Sequence, residues 1–440
     1  MLGRRRRLML VGLASVGVTV LSALDSPAQA ADQTAQPPRT TSYGVPRPEV
    51  ALGGGRLLVS QSQTPGGRIT VVARDLQQIT ASGSVKVGTA RQISAVEPIM
   101  LDEQPPSSGQ VEVSGDYVLT ADSQNGFMLR VGDRPAINLA PADPELTRIR
   151  QSGRYSLAGG VVYRPAPGNQ VREVFRTSTD STDLFGSKVS WVTASGQVKT
   201  LELNPGYGIR PAPKPEVLAA RGGAGPIAVS AHVTAWLDTN NVIHLSEGYG
   251  SKDRLIRGTR ATELQLDGGL LSWANVRGEV GLLDISDPDA KPRRSVLQAP
   301  YAVDNGLIAG MDQTGKVRVR ALPFLPSRPL LISSDVKPFF SKGTIWRPQF
   351  DFAGPVLNAK LRITGGRQVR VIRGRAPHGS LNGLRWNGTG SNGKYLGPGC
   401  YHWTLAGTVS TVRGARPFKL GAYVSTDVEG GESGGCGGSS

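Results

Sequence analysis

The chain has 440 residues, of which 38% are apolar and 57 are Gly and 31 Pro. Gly and Pro together make 88 of 440 residues, or 20%, above ordinary usage but short of low complexity, at a length that suits two or three domains. A helical bundle is excluded in favour of many short strands joined by turns. Fifty Lys and Arg against 34 Asp and Glu leave a formal charge of +16. Read along the chain, the cations look scattered among acids, which suggests solubility and loose adhesion to anionic surfaces rather than one binding patch.

The N-terminus places Arg4 to Arg7 before an apolar run from Leu8 to Leu24, followed by Ala28-Gln29-Ala30. This is the layout of a secretory signal peptide over residues 1–30, cut between Ala30 and Ala31. The run falls short of the about 20 residues of a membrane span, so stable membrane insertion after cleavage is not expected. Sec export is expected over the twin-arginine route. Losing four Arg and one Asp lowers the charge from +16 to +13. The exported chain is expected outside the cell, loosely held at the cell wall, as a monomer and without a nucleic-acid partner. Residues 31–48 are polar and Pro-rich and read as a flexible leader.

Residues 49–335 repeat a glycine, an alternating strand, a polar turn and a second alternating strand. The units begin at Gly53, Gly115, Gly153, Gly186, Ala231, Gly268 and Gly306. Val189–Trp191, Val233–Trp236 and Leu271–Trp273 hold matching places in the first strand. The turns Ser195-Gly196, Asn240-Asn241 and Thr314-Gly315 suit the positive φ of tight hairpins. Lys316–Arg320 alternates polar and apolar, as a half-buried strand does. After an opening gap of 62, the starts lie 38, 33, 45, 37 and 38 residues apart. A period near 40 fits β-propeller blades, each of which buries its faces only by stacking on neighbours. Six to eight blades are expected, seven preferred. A string of sandwiches would repeat at about 100 residues. The units resemble the divergent blades of secreted bacterial propellers of the TolB and WD-like kind, without a WD dipeptide or an Asp-box.

Three prolines within 321–337 mark the exit from the array. From 338 to 428, strands are expected around Arg347–Phe352, Ala359–Thr364, Gln368–Arg373 and Phe418–Val424, and then a Gly/Ser-rich tail over 429–440. The stretch Trp386–Trp403, WNGTGSNGKYLGPGCYHW, sets tight turns before a strand with buried aromatics. This block resembles the FlgD Ig-like module. Gly366 to Val369 match its turn entry, and Trp386, Asn387, Gly388, Gly393, Gly399, Tyr401 and Trp403 match its core motif. Gly390 departs from it where the family has Asp or Asn, and so does Cys400 before the Tyr. The resemblance implies a small β-sandwich that serves as a structural or adhesive appendage without catalysis. The fold class expected for the whole chain is thus all-β, a propeller followed by an Ig-like β-sandwich.

Chemistry is sparse on this reading. Cys400 and Cys436 are too few for a Cys-rich metal site. They either form a disulfide, closing a loop of about 35 residues and stabilising by ~3 to 4 kcal/mol, or leave Cys436 free or bound to another chain. His232 and His244 share a hairpin without a supporting carboxylate pattern, His378 sits in a loop, and His402 points outward beside Tyr401 and Trp403. The acidic clusters Asp180–Asp183 and Asp287–Asp289 read as solvated turns, since neither matches a calcium loop. Gly53–Gly55 precedes a strand and offers no phosphate cradle. No nucleophile elbow is present. No catalytic, cofactor-binding or metal residue is assigned, and no cofactor is expected. The inner strands are expected to carry mostly Gly, Val and Ser. Two functions follow: a non-enzymatic exported scaffold whose propeller face binds a protein or an extracellular glycan, or a secreted polysaccharide hydrolase or lyase at the propeller mouth. Two carboxylates within ~5 to 10 Å in a cleft would favour the hydrolase, and a wall of small apolar residues would exclude it.

Overall fold

The structure, a computed structural model, describes residues 49–62, 69–79, 85–96, 110–122, 126–140, 148–179, 181–203, 214–248, 253–322, 330–365, 368–409 and 417–426. Ala30, Ala31, the leader and Cys436 lie outside these residues. Every regular element among the described residues is a β-strand.

Residues 50–321 form a seven-bladed propeller. Blade II shows the plan, with antiparallel strands Val111–Ser114, Tyr117–Asp122, Gly126–Val131 and Ile137–Leu139 running outward from the axis. Blades III, IV and V, over 149–176, 182–219 and 223–256, repeat it. Blades VI and VII share the strand Arg293–Asp304. Its first half pairs with Glu279–Asp284 as the outer strand of blade VI, and from Tyr301 it pairs with Leu307–Met311 as the inner strand of blade VII. Each innermost strand packs on the next, and Val50–Gly53 of blade I packs against Arg293–Asp304, so the ring closes. Leu52, Leu57, Leu307 and Val319 fill the closing seam. A buried Leu of this kind stabilises by about 1.5 to 3 kcal/mol. The 62-residue opening gap is taken up by two further strands of blade I, Val85–Val87 and Arg91–Val96, both paired to Ile69–Ile79.

The unit-opening glycines have a role the repeat alone does not show. Gly115, Gly153, Gly186, Gly268 and Gly306 sit at the turn between the first and second strand of a blade, and Gly53 ends the first strand just before the Gly54-Gly55 turn, so the hairpins seen in the sequence are the second and third strands. Gly115, Gly153, Gly186 and Gly268 take φ of +60°, +56°, +55° and +55° at the first turn position. That backbone fits a two-residue turn opened by Gly. Blade V departs from the pattern: Val229 pairs with Thr234 across a four-residue loop, so its unit opens at Ala231 without a turn glycine.

Two further sheets follow the propeller. One orders Leu331–Asp335, Gln349–Phe352 and Ser380–Leu381. The other orders Phe339–Phe340, Pro417–Thr426, Gly399–Val409, Val356–Gly365 and Gln368–Ala376. The sheets face each other across aromatic contacts such as Phe350 with Trp403 at 5.7 Å and Phe352 with Phe418 at 4.6 Å. Trp346, Trp386 and Tyr401 complete this core, and an isolated antiparallel bridge joins the backbones of Trp346 and Trp386. Leu331–Asp335, read from sequence as the last part of the propeller, belongs to this module, because its backbone pairs with Gln349–Phe352.

The module is seated on the propeller face that carries the opening turns. Arg154, at the blade III turn, is buried between Asp351 at 3.1 Å and Asp335 at 3.0 Å. Ser380 Oγ accepts the backbone N–H of Asp116 at 3.2 Å. A Cβ at Gly186 would lie 2.0 Å from the carbonyl oxygen of Ile332, and one at Gly54 2.4 Å from that of His378. These glycines therefore serve twice, supplying the turn and leaving room for the second module.

Candidate functional site

The ring encloses an axial cavity of about 510 Å³. Ile332 and Ala353 of the second module line it together with the inner strands, so the module closes one end. The inner strands run from Glu49, Gln110 and Arg148 at the far end toward the turns at the covered end. The cavity is thus a blind cup.

Two positions on the inner strands carry its chemistry. Three residues before the first turn residue stand Glu112 in blade II, Arg150 in blade III, Asp183 in blade IV and Gln265 in blade VI. Arg150 reaches Glu112 with Nη1 at 3.4 Å and Asp183 with Nε at 3.3 Å, joining three successive blades at one height. Burial works against the charge of Arg150, but Glu112 and Asp183 outweigh it and hold the guanidinium cationic. Burial raises the Glu112 pKa above the usual carboxylate range, and Arg150 offsets only part of that. Glu263, nearer the mouth, is also raised by burial, although Gln265 Nε2 donates to it at 2.7 Å.

One residue before the turn, the side chain bolts its blade to the next. Ser114 Oγ accepts the Gly153 N–H and Ser152 Oγ the Gly186 N–H, both at 2.8 Å. Asp267 accepts from the backbones of Asn305 and Gly306, and Asp304 from Gly54. Asp183 Oδ2 does the same from the position nearer the mouth, accepting Val229 N–H at 2.8 Å. Burial first, and then the charge of Asp267, push the Asp304 carboxyl well above its ordinary value.

The expectation of inner strands made mostly of Gly, Val and Ser is therefore corrected. The axis is lined by the strands before each turn glycine, which carry Glu112, Arg150, Gln265 and Asp267. Asp183 is not part of a solvated turn but buried on the inner strand of blade IV; Asp180 lies outside the described residues. Asp287 and Asp289 do form an exposed turn, closed by the Asp289 N–H on Asp287 Oδ1 at 2.9 Å.

The histidines fall elsewhere. His232 is exposed in the blade V loop. His244 lies between Asp238 and Asp253, each at 3.1 Å, and stacks on Trp236, so two carboxylates do meet it. Asp253 comes from the start of the outer strand, a partner hairpin spacing does not reveal. His378 sits between the two modules, its pKa lowered by burial and by Arg56. His402 is exposed and meets Tyr423 edge to face at 5.2 Å. Cys400 is exposed on Gly399–Val409, opposite Ser425. Its pairing with Cys436 falls outside the described residues. Among the described residues no three His, Cys, Asp or Glu are grouped so as to hold a metal.

No family model matches the chain, and no curated protein matches it. Among solved structures, human WBSCR16 is similar with a TM-score of 0.40 at 14% identity, over 58% of this chain and 85% of that one. PorZ of Porphyromonas gingivalis, described as an essential bacterial surface component of the type-IX secretion system, gives 0.37 at 12% identity over 89% of this chain and 61% of its own. BamB from Moraxella catarrhalis gives 0.37 at 14% identity over 62% and 84%.

Proposed function

We propose that the protein is an exported, non-enzymatic binding scaffold. Its open propeller face receives a protein partner, which places one polar side chain in the axial cup. The two-sheet module is read as FlgD Ig-like and closes the other face. The observation that supports this reading is the engagement of the axial acids. Asp183, Asp267 and Asp304 already accept backbone N–H groups of the following blade, and Glu112 is spent on Arg150. A general acid or nucleophile needs a lone pair or proton directed at substrate, whereas these hold the ring together. Arg4 to Arg7, the apolar run after them and the small-residue site support export and an extracellular place for the mature chain.

The hydrolase reading keeps one observation in its favour: Glu112, Glu263, Asp267 and Asp304 line a single cup with pKa values raised by burial, as general acids require. The test uses the mature chain and the paired variants Arg148→Glu and Glu263→Gln at the mouth. Captured surface proteins are compared between wild type and variants, and release of reducing ends is followed on acidic and neutral polysaccharides. Capture that falls about tenfold in the variants, without turnover, is the expected result. Turnover that Glu263→Gln abolishes would replace the scaffold by a hydrolase.

A further inference from the structure

From Phe352 to Thr426 the chain runs 75 residues without one Asp or Glu, yet contains eleven Lys and Arg. The +16 charge is therefore concentrated in the second module rather than scattered, contrary to the linear reading. The strands of its five-stranded sheet arrange part of this charge on one face. In the register, Lys419 stands opposite Ala406, Ala406 opposite Lys360, and Lys360 opposite Arg373. One step along, Gly421, Thr404, Arg362 and Val371 form the next row, and Tyr423, His402 and Thr364 the third. Lys360, Arg362, Arg373, Lys419, His402 and Tyr423 are all exposed.

Two observations make this more than a solvated surface. Like charges directly opposite on neighbouring strands destabilise a sheet, and Lys360 faces Arg373 with no acid anywhere in these strands to relieve it. The face also has a relief: Ala406 and Gly421 leave a low floor between Lys419 on one side and Lys360 and Arg362 on the other. At its end stands Tyr423, 47% exposed, braced by His402. Cations on such a sheet lie about 5 Å apart across strands and about 7 Å apart along them.

We infer that this face binds an extended acidic polysaccharide, with Lys360, Arg362, Arg373 and Lys419 pairing its carboxylates or sulfates and Tyr423 covering the apolar face of one sugar ring. The geometry favours a glycan over the other polyanions. A sheet that reads single-stranded nucleic acid stacks two or three bases on exposed aromatics along its binding rows, whereas the two cationic rows here carry none, and Tyr423 and Phe339 stand only at the end of the face, Phe339 opposite Ser425. A membrane would need inserted apolar side chains, and the cationic rows expose only Val371. The inference is independent of what the propeller binds.

The test measures binding of the mature protein to heparin and polygalacturonate, with oligo-dT and anionic phospholipid vesicles as competing polyanions, across salt concentrations. The variant Lys360→Ala/Arg362→Ala/Arg373→Ala/Lys419→Ala should lose at least about tenfold in affinity and most of its salt dependence, since each cation engaged releases about one counterion. A charge-matched variant on the propeller, Arg172→Ala/Arg221→Ala/Arg257→Ala/Arg277→Ala, should bind as wild type; all four are exposed. Tyr423→Ala should weaken binding with the salt slope unchanged, a readout that keeps the idea testable if the quadruple variant folds poorly. Equal loss in both quadruple variants, no retention on either glycan, or tighter binding to oligo-dT or vesicles would overturn the inference.

Discussion

Replacing Gly186 by Ala tests whether the second module is seated on the propeller turns. Gly186 and Gly268 hold the same turn position with the same φ of +55°, so Ala costs about 1 to 2 kcal/mol of backbone strain at either. Their surroundings differ. A Cβ at 268 meets only Leu330 Cδ2 at 4.0 Å, an ordinary contact, whereas one at 186 falls 2.0 Å from the Ile332 carbonyl oxygen. That oxygen is backbone in a paired strand and must retreat by more than 1 Å, which adds about 1 to 3 kcal/mol as overpacking does. For domains of 150 to 250 residues a kcal/mol shifts Tm by about 2 to 4 °C, so Gly186→Ala should melt several degrees below Gly268→Ala. Its loss should also show as easier proteolytic separation of the two modules. Equal melting temperatures and equal cleavage rates for the two variants would refute the docked arrangement.

Arg154→Ala strands the buried Asp351 carboxylate and should cost about 3 to 5 kcal/mol, read as loss of a single cooperative urea transition in favour of two. Asp304 has a folded pKa raised well above the unfolded value. The stability it allows is full below about pH 4 and is lost as pH rises toward that raised value; Asp304→Asn, which keeps an acceptor for Gly54, should flatten this decline in thermal melts. Asp312 runs the other way. Burial alone would raise it, but bonds from Thr314, Arg318 and Lys316 hold it at about 2. Its contribution is present above about pH 4 and lost as pH falls through about 2, so Asp312→Ala should remove part of the acid-induced loss followed by circular dichroism.

Much of the architecture is legible along the chain because its causes are local. A turn that needs positive φ demands Gly or Asn, and so Gly115, Gly153, Gly186 and Gly268 mark the blades at a readable period. Alternation marks Val317–Ala321 as a half-buried strand, and its buried Val317 and Val319 alternate with more exposed arginines as expected. Trp386, Tyr401 and Trp403 read as core plugs and are buried. The axial strands escaped notice for a local reason too. They are short, four residues in blades I to IV, and those of blades II to IV carry charge where a strand is expected to show apolar alternation. The triplets ahead of each turn, Glu112 to Ser114, Arg150 to Ser152 and Gln265 to Asp267, were the available signal.

The sequence by itself determined that the chain would be all-β and that its turns would recur at the spacing of propeller blades, because backbone conformation and strand alternation act within a few residues; it left the count between six and eight and carried the repeat through Leu331–Asp335, which pairs in the second module. Only the tertiary structure decided which strands meet at the axis, that Arg150 lies between Glu112 and Asp183, that the second module closes the cup, and that acid-free strands present their cations as one face. Each of these depends on which distant segments pack together, and side-chain charges acquire partners, burial and shifted proton affinity only after that packing is set.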